Sequence, residues 1–86
     1  PTSRLCVLMG QALYGQERLD KAYDAFDRSA RLDPKRGRPY LMMGYCALQM
    51  DKKDTARAAF LKAARFPKQR KHAKELLKQL ASLQTR

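Results

Sequence analysis

Tryptophan is absent from this chain, histidine occurs once (His72), and cysteine occurs twice, as Cys6 and Cys46. One histidine and no Cys-x-x-Cys pair leave no set of ligands for a protein-only metal site. Both thiols fall in apolar stretches, where a cysteine behaves as a small buried hydrophobe. Reduced thiols of that kind fit a cytoplasmic setting. A thiol nucleophile needs a base beside it, and neither Cys6 nor Cys46 lies near His72 in the sequence. The expectation is therefore a non-enzymatic protein with no cofactor and no metal. Long apolar runs are also missing. The greasiest stretch, YLMMGYCALQM at 40–50, is 11 residues, against the roughly 20 that a membrane-spanning helix requires.

Acids are scarce, and scarcest toward the C-terminus. Residues 57–86 hold nine Lys and Arg against the single Glu75, while residues 1–56 hold ten against seven acids, for a net charge of +11 overall. A basic half suits an acidic partner or a polyanion. The run PKQRKHAK (67–74) is basic, but no aromatic residue interleaves it to stack bases, so nucleic acid is an unlikely ligand on sequence grounds. The chain opens on Pro1, not Met, and reads as a piece excised or processed from a longer protein.

What the sequence does contain is a repeat. A shift of 34 residues superposes Arg4 on Arg38, Met9 on Met43, Gly10 on Gly44, Asp20 on Asp54 and Ala22 on Ala56. It also superposes Ala25 on Ala59, Phe26 on Phe60, Ala30 on Ala64, Arg31 on Arg65 and Arg36 on Arg70. Each unit reads as two helices, near 3–14 and 19–32 and then near 39–50 and 54–65. DPKRGRP (33–39) and FPKQ (66–69) break the chain between them. Asp20 and Asp54 fall where an acid complements a helix start. A last helix, near 69–84, sets Ala73, Leu76, Leu77, Leu80, Ala81 and Leu83 against a charged opposite side. No stretch alternates as a strand would.

The unit resembles the tetratricopeptide repeat. That pattern places a large residue, then Leu-Gly, then a bulky residue on the first helix, and Ala, an aromatic and a closing Pro on the second. The first unit supplies Cys6, Met9, Gly10, Leu13, Ala22, Phe26 and Pro34 at these places. The second supplies Tyr40, Met43, Gly44, Ala47, Ala56 and Phe60, with Pro67 one position early. Cys6 and Ala47 depart from the larger residues usual there. The resemblance implies an all-α fold, a right-handed superhelical stack of helix-turn-helix hairpins with five helices. Repeat one would span 3–36, repeat two 37–70, and a C-terminal capping helix 71–86. Gly10 and Gly44 would let the partner helix approach, and Phe26 and Phe60 would wedge into the junction with the following repeat.

It also implies a concave groove lined by the first helix of each repeat. Arg4, Val7, Gln11 and Tyr14, with Leu8 beside them, would face it from the first repeat. Arg38, Leu41, Tyr45 and Leu48, with Met42 beside them, would face it from the second, and Glu75 and Gln79 could form a far wall. For Met42 and Leu48 burial between neighbouring helices competes with this reading; for Leu41 and Tyr45 the groove is favoured, since an exposed apolar stripe marks a binding surface. The clamp of Lys, Asn and Arg by which some groups of the family hold a C-terminal carboxylate is missing, its places being held by Val7, Gln11, Met42, His72 and Leu76. The expected function is a protein-interaction module, scaffold or co-chaperone, holding an apolar segment that carries some acids. The alternative is a basic surface that binds nucleic acid or another polyanion. The apolar first helix also allows docking on a preceding repeat or on a second copy of the chain.

Overall fold

A computed structural model describes residues 2–84, with side chains through Ser82; Pro1, the Leu83 side chain and Arg86 lie outside the described residues. Five α-helices follow in order: α1 (Ser3–Gly15), α2 (Leu19–Leu32), α3 (Arg38–Gln49), α4 (Lys53–Ala63) and α5 (Pro67–Gln84). No strand occurs among the described residues. Each helix packs on the next, so α1–α2 and α3–α4 form two hairpins, α2 meets α3, and α5 closes the stack on α4 while touching α3.

The two hairpins turn in the same way. Arg18 N–H bonds Leu13 O and Glu17 N–H bonds Tyr14 O; 34 residues on, Lys52 N–H bonds Ala47 O and Asp51 N–H bonds Leu48 O. This double bond pattern closes a helix with one left-handed residue. That residue is Glu17 (φ 62°) in the first turn and Asp51 (φ 60°) in the second. The chain then enters α2 and α4 without a side-chain cap, and Asp20 and Asp54 sit in their first turns as acids facing the helix dipole.

The segment FPKQ is a break and a helix start at once. Phe66 O accepts from both Gln69 N–H (3.0 Å) and Arg70 N–H (2.9 Å), and Pro67 takes the first helical position. A proline loses nothing there, because its missing N–H would have had no partner within the helix. The fifth helix therefore begins at Pro67 rather than near 69.

Two packed clusters form the core. One gathers Val7, Ala22, Phe26, Ala30, Met43, Cys46 and Ala59. The other gathers Leu41, Ala47, Ala56, Phe60, Ala63, Ala73, Leu76 and Leu80. Tyr23 and Tyr40 pack against both. The rings of Phe26 and Phe60 are fully buried. Each lies on the glycine of its own hairpin: a methyl group on Gly10 would stand 2.7 Å from the Phe26 ring, and one on Gly44 would overlap the Phe60 ring. The phenylalanines thus seal their own hairpins first, and Phe26 reaches the following helix through the cluster it shares with Met43 and Cys46.

Gly15 lies at the end of α1 with open space where its Cβ would be. Gly15→Ala should therefore raise stability by about 0.5–1 kcal/mol, the ordinary helix-propensity gain. Gly44→Ala makes the same chemical change against the Phe60 ring, and should instead lower stability by about 1–3 kcal/mol through overpacking. Urea unfolding followed by far-ultraviolet circular dichroism measures both. Equal shifts for the two variants would remove the ring-on-glycine contact as the determinant of hairpin closure.

Candidate functional site: a basic, half-apolar groove

Register places the expected groove residues on two helices, but packing treats them unequally. Arg4, Leu8 and Arg38 are exposed, and Gln11, Tyr14, Met42, Tyr45 and Leu48 are half-buried. Val7 is only 5% exposed and Leu41 only 9%. The expected open stripe through Leu41 is therefore corrected: Leu41 belongs to the second core, where α5 contributes Ala73, Leu76 and Leu80. Leu48 packs against the same core, and Met42 against the first. Both side chains stay half-buried, each with one side against a core.

Tyr45 is tied down by its neighbours. Its hydroxyl lies 2.8 Å from His72 Nε2, and its ring meets Phe60 edge-on at 5.9 Å between centroids. His72, the one imidazole of the chain, thus anchors α5 to α3. Tyr14 accepts a hydrogen bond from the Gln49 side-chain amide, linking α1 to α3. Burial pushes the Tyr14 hydroxyl above its ordinary value, aided by Cys46, and burial does the same for Tyr45, aided by Tyr14. Both phenols stay protonated near neutral pH.

What remains open lies toward the N-terminal end of α1 and α3. A cavity of about 290 Å³ is lined by Arg4, Val7, Leu8, Gln11, Arg36 and Arg38. A second cleft, of about 520 Å³, is lined by Lys35 through Arg38 from the α2–α3 loop and by Phe66 through Gln69 from the α4–α5 segment. The two share Arg36 and Arg38, and no acidic residue lines either. The ion pairs among the described residues, Arg31–Asp27 (3.1 Å) and Arg57–Asp54 (3.5 Å), use none of these cations. Arg36 donates instead to Ser3 Oγ at 3.2 Å. Ser3 and the fully buried Ser29 bind each other through three contacts, hydroxyl to hydroxyl at 2.7 Å and each hydroxyl to the other's carbonyl. That polar staple fixes the end of α2 against the start of α1 and so positions the loop that carries the cations.

Sequence reasoning brought Arg4, Val7, Leu8, Gln11 and Arg38 to one place, and they do line one cavity. Tyr14, Leu41, Met42, Tyr45 and Leu48 do not line it. The larger cleft was missed as a unit, although the signal existed: the 34-residue shift lays DPKRG over PKQRK, so two basic loops stack side by side. Glu75 and Gln79 are exposed on α5 and line neither cavity. Among the described residues no three His, Cys, Asp or Glu side chains converge as metal ligands, and no helix is long and apolar enough to cross a membrane.

Sequence models described as tetratricopeptide repeat match residues 3–36 and 37–70. The chain belongs to the tetratricopeptide repeat family. A search of curated proteins gave no match. Tetratricopeptide repeats indicate a protein–protein interaction module, and proteins built from them are generally non-catalytic.

One buried thiol of this repeat protein, Cys46, carries a pH dependence. Burial pushes Cys46 up from 9.0 to about 11. The folded state then holds a proton that the unfolded state gives up between those values, so the stability it contributes is complete below pH 9 and is lost as pH rises toward 11. The denaturation midpoint should fall across that interval, and Cys46→Ala should flatten the fall. At pH 8 the reactive thiolate of folded Cys46 is about 100-fold scarcer than in the unfolded chain. Iodoacetamide labelling read by mass spectrometry should show that lag, and prompt labelling of the native protein would contradict it.

Proposed function

We propose that this repeat protein holds an extended or helical protein segment across the N-terminal ends of α1 and α3, with acidic side chains of the partner meeting Arg4, Arg36 and Arg38. The observation that carries the reading is the pair of cavities that share Arg36 and Arg38 and that no acidic residue lines. Uncompensated arginines attract carboxylates from a distance and bind them bidentately at contact. The apolar floor, Val7 and Leu8, gives the partner's apolar residues a surface beside those charges. A role as scaffold or co-chaperone within a longer protein follows the same reading, and the reduced, buried thiols suit the cytoplasm. A phosphate-bearing polymer is the weaker reading, because the aromatic residues nearest the cations are occupied. Phe66 stacks on Tyr40 at 5.8 Å, and that tyrosine ring also carries Lys62 above it.

Panning a random peptide library on the folded protein should enrich segments that combine aliphatic residues with Asp or Glu. Fluorescence anisotropy should show their affinity falling tenfold or more, about 1.4 kcal/mol or greater, in Arg4→Glu/Arg38→Glu, with weaker binding at high salt. Both substitutions lie on exposed side chains, so the helical signal should hold. Undiminished binding by the folded double variant, or enrichment of peptides without acids, would refute the reading.

A further inference from the structure

The larger cleft forms where two loops of the repeat meet. Gly37 is buried between them: a methyl group there would overlap the Gln69 side-chain oxygen and stand 2.6 Å from Phe66 Cβ. The missing side chain lets the α2–α3 loop lie directly against the start of α5. Phe66, held by its stack on Tyr40, supplies an apolar part of the lining. Four cations line the cleft as well, Lys35, Arg36 and Arg38 from one side and Lys68 from the other. Lys35, Arg38 and Lys68 are exposed, while Arg36 is half-buried and held by Ser3 Oγ. Neither ion pair of the described residues uses any of the four. Asp33 opens the same loop, but its carboxylate accepts the Lys35 backbone N–H at 3.3 Å and does not line the cleft.

Four cations around one space repel one another, and a single carboxylate side chain leaves most of that charge unmatched. A phosphate monoester brings a charge of about −1.5 to −2 and three acceptor oxygens to one point. Arginine forks take two of those oxygens at once, and lysines meet the remainder as point charges. We infer that the cleft between 35–38 and 66–69 binds a phosphoserine or phosphothreonine carried by the partner segment. Lys35, Arg38 and Lys68 contact the phosphoryl oxygens, and Arg36 borders them from the rim. The inference rests on the proposed reading of a protein segment across α1 and α3. Arg36 and Arg38 line both cavities, so a segment seated on Val7 and Leu8 has this cleft at its side. The cleft's volume of about 520 Å³ holds a phosphorylated side chain together with neighbouring backbone. A peptide also needs no base stacking, whereas the Phe66 and Tyr40 rings are already paired with each other.

The test pans the 86-residue chain against two random peptide libraries that differ only in a fixed central serine or phosphoserine. Peptides enriched from the second library are then made in both forms and titrated by fluorescence anisotropy at one ionic strength. The phosphorylated form should bind about tenfold tighter or more. In Lys35→Gln/Lys68→Gln, which changes exposed side chains only, the ratio of the two affinities should fall toward one. Lys35→Arg/Lys68→Arg should keep it. Arg4→Glu lies outside the cleft and should weaken both forms while the ratio stands. A ratio near one in the unaltered protein overturns the inference, as does a ratio that survives Lys35→Gln/Lys68→Gln. Either result leaves the acidic-segment reading intact so long as unphosphorylated acidic peptides still bind and still respond to Arg4→Glu. Failure of every peptide to bind removes both. Tighter binding of a short single-stranded RNA, lost in Lys35→Gln/Lys68→Gln, would give the cleft to nucleic acid and overturn the inference too.

Discussion

The contact on which the architecture rests is a phenylalanine ring packed against a helix that has no side chain at that point. Phe26 on Gly10 and Phe60 on Gly44 bring the two helices of each hairpin close enough for Ala22 and Ala56 to be fully buried between them. The contact is intolerant in both directions. A methyl group on the glycine meets a fully buried ring, and a smaller residue in place of the ring leaves a void in an interior packed like a crystal. Because the contact recurs at a fixed interval, so do the hairpin geometry and the left-handed residue that closes each first helix. The same interval sets the two interfaces between successive hairpins. A chain of this size has little core to spare, and most of what it has is disposed around these two rings.

From this follows the unequal character of the two ends. The C-terminal end is closed by α5, which buries one side in the second core and turns lysines outward. It also reaches back across α3, where His72 takes the Tyr45 hydroxyl. The groove is consequently filled at that end by the chain's own atoms and open only toward Arg4 and Arg38. At the N-terminal end the same repeat geometry leaves α1 with leucine and methionine in water. Both the opening of the groove and the bare face of α1 lie where no other described helix packs.

The sequence revealed the hairpins, their register and the five helices because those depend on side-chain identity at fixed spacing. It placed Leu41 in the groove because spacing alone assigns a residue to a side of its helix, not to a neighbour. Whether that side is covered depends on how far α5 leans across α3, which is set by Ala73, Leu76 and Leu80 in a different part of the chain. Spacing was silent on the Tyr45 contact for the same reason, its partner His72 lying 27 residues away. The start of α5 was read late because a proline marks both the end of one helix and the first turn of another, and the acceptor that decides between them, Phe66 O, leaves no trace in composition. The basic run at 67–74 was visible by itself, but the cleft was legible only by laying one loop over the other, since the run does not show that 35–38 lies beside it.

Those two loops are alike in sequence but not in what their arginines do. Arg70 turns back and donates to Ala64 O and Arg65 O, at the C-terminal end of α4 where the dipole favours a cation. Arg36, its counterpart 34 residues earlier, reaches Ser3 instead, because that position carries a hydroxyl fixed by Ser29. The second hairpin has Gly37 and Ala63 at the corresponding places and offers no such acceptor. One arginine thus closes the helix before its own, while the other is held at the rim of two cavities beside Arg38 and Arg4. A neutral hydroxyl leaves the guanidinium's charge uncancelled, so the staple that orients Arg36 does not quench it. The placement of Arg36 at the groove therefore comes from the half-buried Ser3 and the buried Ser29 behind it, and a carboxylate arriving at that rim would find a donor already oriented.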